Sequence, residues 1–350
     1  QIRKDKGIAV AVASSGIAAT LLNGGRTAHS VLKLPLNLAH EEMPACNISK
    51  NSERGRMLQQ CKLLVWDECT MSHKRAIEAL DRTLKDIKSN PNIMGGMVVL
   101  LAGDFRQTLP VITKGTPADE INACLKASTL WVHVKTFSLS TNMRVQLHND
   151  VQSGQYAAAL LKIGEDRMAK DGNGMITLDR EFCNVVHNPD DLNNFVYSEL
   201  LTNMRNRDCL CERAILAPTN EMVGQINEQI MSRVEGDIFE FLSVDTVMDT
   251  EQVTSYPVEF LNSLELSGVP SHKLRLKFKR LQFPLKIAFA MTINKAQGQT
   301  LKVADINLEK SGFSHGQLYV ACSRVSSPQN LHVLAREGKT KNIVYKNVLQ

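Results

Sequence analysis

The feature that most constrains this chain is a set of short apolar runs free of charge: Ile8 to Ala13, Leu63 to Trp66, Met97 to Ala102, Ala214 to Ala217 and Ile287 to Ala290. Runs of this length, several of them closed by Gly, Ser or Asp, read as strands buried on both faces. Between them lie amphipathic helical patterns, clearest over residues 73 to 88, where Ile77, Leu80, Leu84 and Ile87 share one face and charges occupy the other. Strands alternating with helices imply βαβ units and parallel sheets, an α/β fold.

At about 150 residues per domain, 350 residues make roughly two domains with room for a small third. Two strand and helix sets stand out, one before about residue 138 and one after about residue 210, with turn-rich sequence between them that includes Asp171-Gly172-Asn173-Gly174. The expected division is 1–138 and 139–350. Residues 35 to 57 are polar and aperiodic and read as a long surface excursion from the first sheet. In the stretch 256 to 286, Lys273, Arg275, Lys277 and Lys279 alternate with Leu274, Leu276 and Phe278, the pattern of a strand with one basic face.

Composition narrows the function. A chain 43% hydrophobic and 22% charged is globular, which removes disordered and fibrous classes. The net charge of +5 permits a nucleic-acid partner without demanding one, and 5% aromatic residues leave too few rings for a base-stacking platform, so any strand binding must rest on phosphates. The eight cysteines include no C-x-x-C pair, which suits a reducing compartment; Cys209 and Cys211, with His187 upstream, read as unpaired structural thiols ahead of a metal site. Residues 7 to 25 imitate a leader but are interrupted by Ser14, Ser15, Gly16, Thr20 and Asn23, a poor membrane span. No membrane association and no obligate protein partner are expected. A chain that opens on Gln1, directly before an apolar strand, is expected to begin inside a domain.

Leu63-Leu64-Val65-Trp66-Asp67-Glu68 has the form of a Walker B element. At the C-terminal end of a parallel strand the Asp can hold Mg²⁺ while the Glu orients an attacking water. Neighbouring residues on a strand point oppositely, so the pair must sit where strand gives way to loop; the alternative is a strand running into an acidic helix start. A second apolar run ends in Gly103-Asp104-Phe105-Arg106-Gln107, where an amide can meet both a terminal phosphate and the lytic water, although Gly-Asp also favours a plain turn. Ala13-Ser14-Ser15-Gly16 joins a strand to a helix, leaving N–H groups for an anion or simply capping the helix. Thr27, His29 and Ser30 add donors downstream. Thr292-Ile293-Asn294-Lys295-Ala296-Gln297-Gly298-Gln299-Thr300 packs donors around one glycine, and Ser314 to Arg324 reads as a helix whose Arg324 is a dipole cap or an arginine finger.

Taken in order, ASSGIAATLLNGGRTAHS, LLVWDE, GDFRQTLPV, STNMR, APTN, TINKAQGQTL and SHGQLYVACSRV resemble the petite-integration-frequency (PIF) DNA helicases, most closely the branch found in helitron transposons, over residues 7 to 335. The resemblance implies a superfamily-one enzyme with two RecA-like domains that uses ATP and Mg²⁺ to move 5′ to 3′ on single-stranded DNA and at DNA junctions. It implies roles in repair, recombination, telomere maintenance or helitron transposition, in the nucleus, with the mitochondrion as the alternative. Asp67 and Glu68 match the Walker B pair, with Asp67 as metal ligand, and Gln107 matches the γ-phosphate sensor. Arg144 and Arg324 match the two arginines that the second domain brings to the nucleotide, beside Gly298. Ser14, Ser15, Thr27, His29, Thr219, Asn220, Thr292, Asn294 and Lys295 match the DNA-contacting motifs.

Two departures accompany the match. The family's phosphate loop, G-x-x-x-x-G-K-[ST], is expected upstream of Gln1, and a small SH3-like insertion is expected to be cut down to a remnant near 245–283, which makes the alternating basic strand a product of that junction. Without the loop's donors the 350 residues are expected to show no appreciable ATPase. A non-catalytic single-strand-binding remnant of a helicase or transposon gene is the competing expectation.

Overall fold

A computed structural model of the chain describes residues 2, 4–35, 37–39, 41–148, 151–197, 210–233, 239–243, 262, 272–276 and 289–350. The first uncharged run forms β1 (Ile8–Ala13), followed by α1 (Gly16–Leu21), the short β2 (Arg26–Thr27) and α2 (Ala28–Leu32). Then come α3 (Glu53–Gln60), β3 (Cys61–Asp67), α4 (Lys74–Ile87), β4 (Val98–Leu101) and α5 (Pro117–Ala123). The four strands pair in parallel in the order β2-β1-β3-β4, with Ala13 opposite Asp67 and Trp66 opposite Leu101. Parallel register brings the C-terminal ends of β1, β3 and β4 to one edge of the sheet, which is where open α/β sheets place their sites. Beneath it Leu32, Leu58, Leu64, Trp66 and the inner face of α4 (Ile77, Leu80, Leu84, Ile87) are fully buried.

The second half contributes α6 (Met143–His148), α7 (Val151–Gly164), β5 (Met175–Thr177), β6 (Asn184–Val186), α8 (Pro189–Tyr197), β7 (Arg213–Ala217) and α9 (Asn220–Arg233). There follow β8 (Phe239–Leu242), β9 (Lys273–Leu276), β10 (Ala290–Thr292), β11 (Val303–Asn307), α10 (Gln317–Cys322), β12 (Leu331–Leu334), β13 (Lys339–Lys341) and α11 (Lys346–Leu349). Its sheet is again parallel, β10-β7-β11-β12-β6, over a core that includes Ile163, Leu216, Ile306, Val320 and Val333. Two small antiparallel pairs, β13-β5 and β8-β9, complete the described strands.

Three expectations need amendment. Residues 35 to 57 are not a loose excursion: Leu38 and Cys46 are buried, the Cys46 N–H donates to Thr83 Oγ1 at 2.8 Å, and Arg75 and Arg82 donate to the carbonyls of Ala39 and Pro44. The segment is belted to α4 and ends in α3; its apolar residues follow no period because scattered side-chain bonds and turns, not a ladder, hold its backbone. The sequence between 139 and 210 is more than turns, since β6 is an edge strand of the second sheet and α7 and α8 bury Ile163 and Leu192. The run at 287–290 becomes a strand from Ala290 onward, reaching Thr292, while residues 287 and 288 lie outside the described residues. Most of the expected remnant near 245–283 also lies outside them; β9 within it pairs antiparallel with β8.

Candidate active site

β3 delivers Asp67 as its last residue, and Glu68 follows at φ 49°, in the left-handed region. That reversal answers the strand problem, because it swings the second carboxylate away from the face that strict alternation would give it. Asp67 Oδ1 accepts the Glu68 N–H at 3.0 Å and fixes the turn. Next door, Gly103 passes so close to Thr70 that a Cβ would lie 2.9 Å from its Cγ2, and Asp104 caps its own turn by accepting from the Arg106 N–H and Nε at 3.0 and 2.9 Å. Gln107 closes that turn, its N–H donating to the Asp104 carbonyl, and its side-chain Oε1 is buried with no donor among the described residues. A buried, unmatched acceptor at the mouth of a parallel sheet is a polar group awaiting a ligand or water.

The second domain supplies the opposite wall. Gln297 is fully buried; its Nε2 donates to Glu68 Oε2 at 2.9 Å and its Oε1 accepts from Thr108 Oγ1. Burial pushes the Glu68 carboxyl above its ordinary value, the Gln297 hydrogen bond opposes this, Asp67 and Asp104 add to the rise, and Arg324 lowers it. Arg324 is 5% exposed and donates to the carbonyls of Val320, Ala296 and Gln299, so it closes the C-terminus of α10 and clamps the turn around Gln297. Arg324 is therefore a helix cap, and its charge favours the ionised Glu68 carboxylate.

Further contacts weld the walls. His315, fully buried, accepts the Tyr345 N–H at Nδ1 (2.8 Å), so its Nε2 carries the proton and donates to the Phe105 carbonyl (2.7 Å); burial lowers its pKa and favours this neutral tautomer. Gly316, at φ 72°, lies against the Arg106–Gln107 backbone, where a Cβ would meet the Arg106 carbonyl oxygen at 2.4 Å. Tyr319 Oη donates to Asp104 Oδ2 at 3.1 Å. Beside this seam a cleft of about 590 Å³ is lined by Arg106, Asn142, Met143, Tyr156, Tyr319 and Ser323. Arg144 lies in α6 at its border, and its side chain is outside the described residues.

The expected DNA-contacting residues divide into two groups. His29, Asn220 and Lys295 are exposed. The others have structural work: Ser15 caps α1, Thr27 caps α2, Thr219 accepts from the Met222 N–H, and Ser14 Oγ meets Ser72 Oγ and the Trp66 indole N–H. Thr292 is buried, and Asn294 Oδ1 accepts from Gln317. Gly298, at φ 84°, approaches α1 so that a Cβ there would lie 3.6 Å from that of Ala18, which brings the Ser14–Ser15 and Thr292–Thr300 segments together. Sequence reasoning passed over Gln297, Thr108, Asp104, Tyr319 and His315. All lie inside the quoted motifs; Gln297, Thr108 and Asp104 stand one to three residues from chosen positions, and Tyr319 and His315 stand five and nine from Arg324. Cys211 is exposed, Cys209 lies outside the described residues, and among the described residues no three His, Cys, Asp or Glu side chains gather as a metal cluster.

Two parallel α/β sheets, the first with a carboxylate pair at one strand end, make a RecA-like fold. The chain belongs to the PIF1-like helicase family, whose sequence model matches residues 1–174. It is 25% identical to the ATP-dependent DNA helicase PIF1 of Danio rerio over 356 residues, 93% of this chain and 54% of that protein. It is also 25% identical to the Pif1 helicase of Psychrobacter sp. over 413 residues, 92% of this chain and 60% of that one. The chain thus spans little more than half the length of these relatives. The crystal structure of Pif1 from Candida albicans superposes with a TM-score of 0.67 at 19% identity, covering 99% of this chain and 88% of the other. The Bacteroides Pif1 complex with ADP-AlF3 and single-stranded DNA gives 0.59 at 18% identity, covering 97% and 85%. At these identities the superpositions establish the fold.

Proposed function

We propose that this chain is the motor core of an ATP-dependent DNA helicase, moving 5′ to 3′ along single-stranded DNA as domains 1–138 and 139–350 close and open on ATP. The observation that carries the reading is the Asp67–Glu68 pair, faced across the domain seam by Gln297 and Arg324 and flanked by the unmatched Gln107 oxygen. The names of the matching relatives, ATP-dependent DNA helicases, support it, as does the neighbour solved with a nucleotide analogue and single-stranded DNA.

In this reading Asp67 holds Mg²⁺, whose bound charge offsets that of the phosphates. The hard carboxylate oxygens of Asp67 would suit such a cation. Glu68 orients the attacking water, Gln107 bonds the terminal phosphate, and Arg144 and Arg324, with Gly298 beside them, complete the nucleotide site from the second domain. His29, Asn220 and Lys295 reach DNA phosphates directly, while Ser14, Ser15, Thr27, Thr219, Thr292 and Asn294 shape the strand path through the backbone they fix. Action at DNA junctions, in repair, recombination, telomere maintenance or helitron transposition, and in the nucleus, follows from the same reading.

The 350 residues contain no G-x-x-x-x-G-K-[ST]. By themselves they are therefore expected to bind single strands without releasing phosphate. Fluorescence anisotropy with an oligo(dT) probe should show affinity falling at least about tenfold between about 50 and 200 mM salt, and falling further in Lys295→Glu. Absence of binding, or binding indifferent to salt, overturns the helicase reading. Single-strand-stimulated phosphate release that Asp67→Asn abolishes overturns the expected inactivity.

A further inference from the structure

We infer that Gln297 is the positioning residue through which the second domain sets the orientation of the Glu68 carboxylate, so that Glu68 is held for work only while the two domains are docked. The inference rests on the proposed role of Glu68 and adds to it a regulator on the opposite domain. A carboxamide with no exposed surface must have both ends bonded, since an unpaired buried amide is costly. Here both partners belong to the first domain: Nε2 donates to Glu68 Oε2 at 2.9 Å, and Oε1 accepts from Thr108 Oγ1. Thr108 is itself buried and directly follows Gln107. One side chain thus ties the end of β3 to the turn after β4, and its satisfaction is complete only in the docked arrangement.

Gln297 is also held stiffly from behind. Its N–H closes the turn onto the Asn294 carbonyl, and Arg324 binds the carbonyls of Ala296 and Gln299 on either side of it. A donor already fixed in place loses little freedom when it meets its acceptor, which is what lets a hydrogen bond orient its partner rather than follow it. On the first domain, the Asp67 bond to the Glu68 N–H secures the backbone, leaving the carboxylate to be aimed by Gln297. Lys295, exposed two residues earlier on the same turn, puts the cation proposed to meet DNA on the body that carries the carboxamide.

The test is spectroscopic and uses the 350-residue chain with ¹⁵N-labelled carboxamides and ¹³C-labelled glutamate carboxyls, at one fixed pH well above the carboxylate range. Gln297 is identified by its loss in Gln297→Met, which keeps the volume and removes both bonds, and Glu68 by its loss in Glu68→Gln. The Gln297 amide protons should lie downfield and exchange at least about tenfold more slowly than those of exposed glutamines. Gln297→Met should move the Glu68 carboxyl resonance, and Thr108→Val should move the Gln297 and Glu68 resonances together. A Gln297 amide that exchanges like an exposed one, or a Glu68 resonance unmoved in folded Gln297→Met, overturns the inference. Should Gln297→Met not fold, Thr108→Val decides alone, and unmoved resonances overturn the inference. The outcome is separable from the helicase reading: failure of oligo(dT) to bind overturns that reading and leaves the resonances as described.

Discussion

At Glu68 the chain accepts a left-handed backbone that costs an L-residue on the order of 1–3 kcal/mol, and the return is two adjacent carboxylates that need not point to opposite faces. A second costly residue lies far from this site. Asp305 on β11 is fully buried, its Oδ1 bonds His332 Nδ1 at 2.8 Å, and its Oδ2 has no partner. Burial lifts its carboxyl to about 6, with the His332 bond and charge and the Arg213 charge opposing the rise. A raised folded-state value means that stability is full below the ordinary aspartate range, near 4, and is lost as pH rises through about 6. Asp305→Asn removes that loss, so its stability relative to the parent should climb between about pH 4 and 6 and then level off, by up to about 3 kcal/mol. Urea titrations across that range check it, and a flat difference would refute it. Asp67 and Glu68 were legible as candidates because an apolar run closes on them, and Gln107 because it closes the turn six residues after β4. The part played by Gln297 was not, since its carboxylate partner lies 229 residues away and no local pattern announces a bond across a domain seam.

Among elements, α4 shows how periodicity becomes stability. Its spacing places Ile77, Leu80, Leu84 and Ile87 on one face, each 0–1% exposed, and each such burial contributes roughly 1.5–3 kcal/mol. Leu80→Ala should therefore destabilise the first domain by about 2–5 kcal/mol, seen as a lower urea midpoint with an unchanged slope. A loss below about 0.5 kcal/mol would mean that the site does not behave as a packed core position. The strands were legible because their central residues carry no charge, which burial on both faces explains for Ala214–Ala217 but not for β4, where Val98 and Leu100 are exposed. The belt from residue 35 to 57 was not, because Leu38 and Cys46 are spaced by its path around α4 rather than by any helical or strand period.

For the whole molecule, the two α/β halves are joined by more than the covalent link between them. Ser314 Oγ and Tyr345 Oη both donate to Glu120 Oε2, at 3.1 and 3.0 Å, and Val348 of α11 is buried with Leu109 and Cys124 of the first half. Val348→Asp places an unpaired carboxylate in that apolar contact. Residues 343–349 are then expected to lose their hydrogen-exchange protection while α4 keeps its own. Protection retained at 343–349 would show that Val348 does not hold them down. Two parallel sheets could be expected from the alternation of strands and helices, but the fastening between the halves could not, because Glu120 and Val348 are unremarkable in their own neighbourhoods.

The docking of Val348 also carries a cost in time. During synthesis the Leu109–Cys124 surface stays uncovered until residue 348 has been added, and at about 5–20 residues per second that interval is on the order of 10–45 s. A small apolar patch beside the first sheet, formed by Leu109 and Cys124, is therefore left open to other chains over that interval.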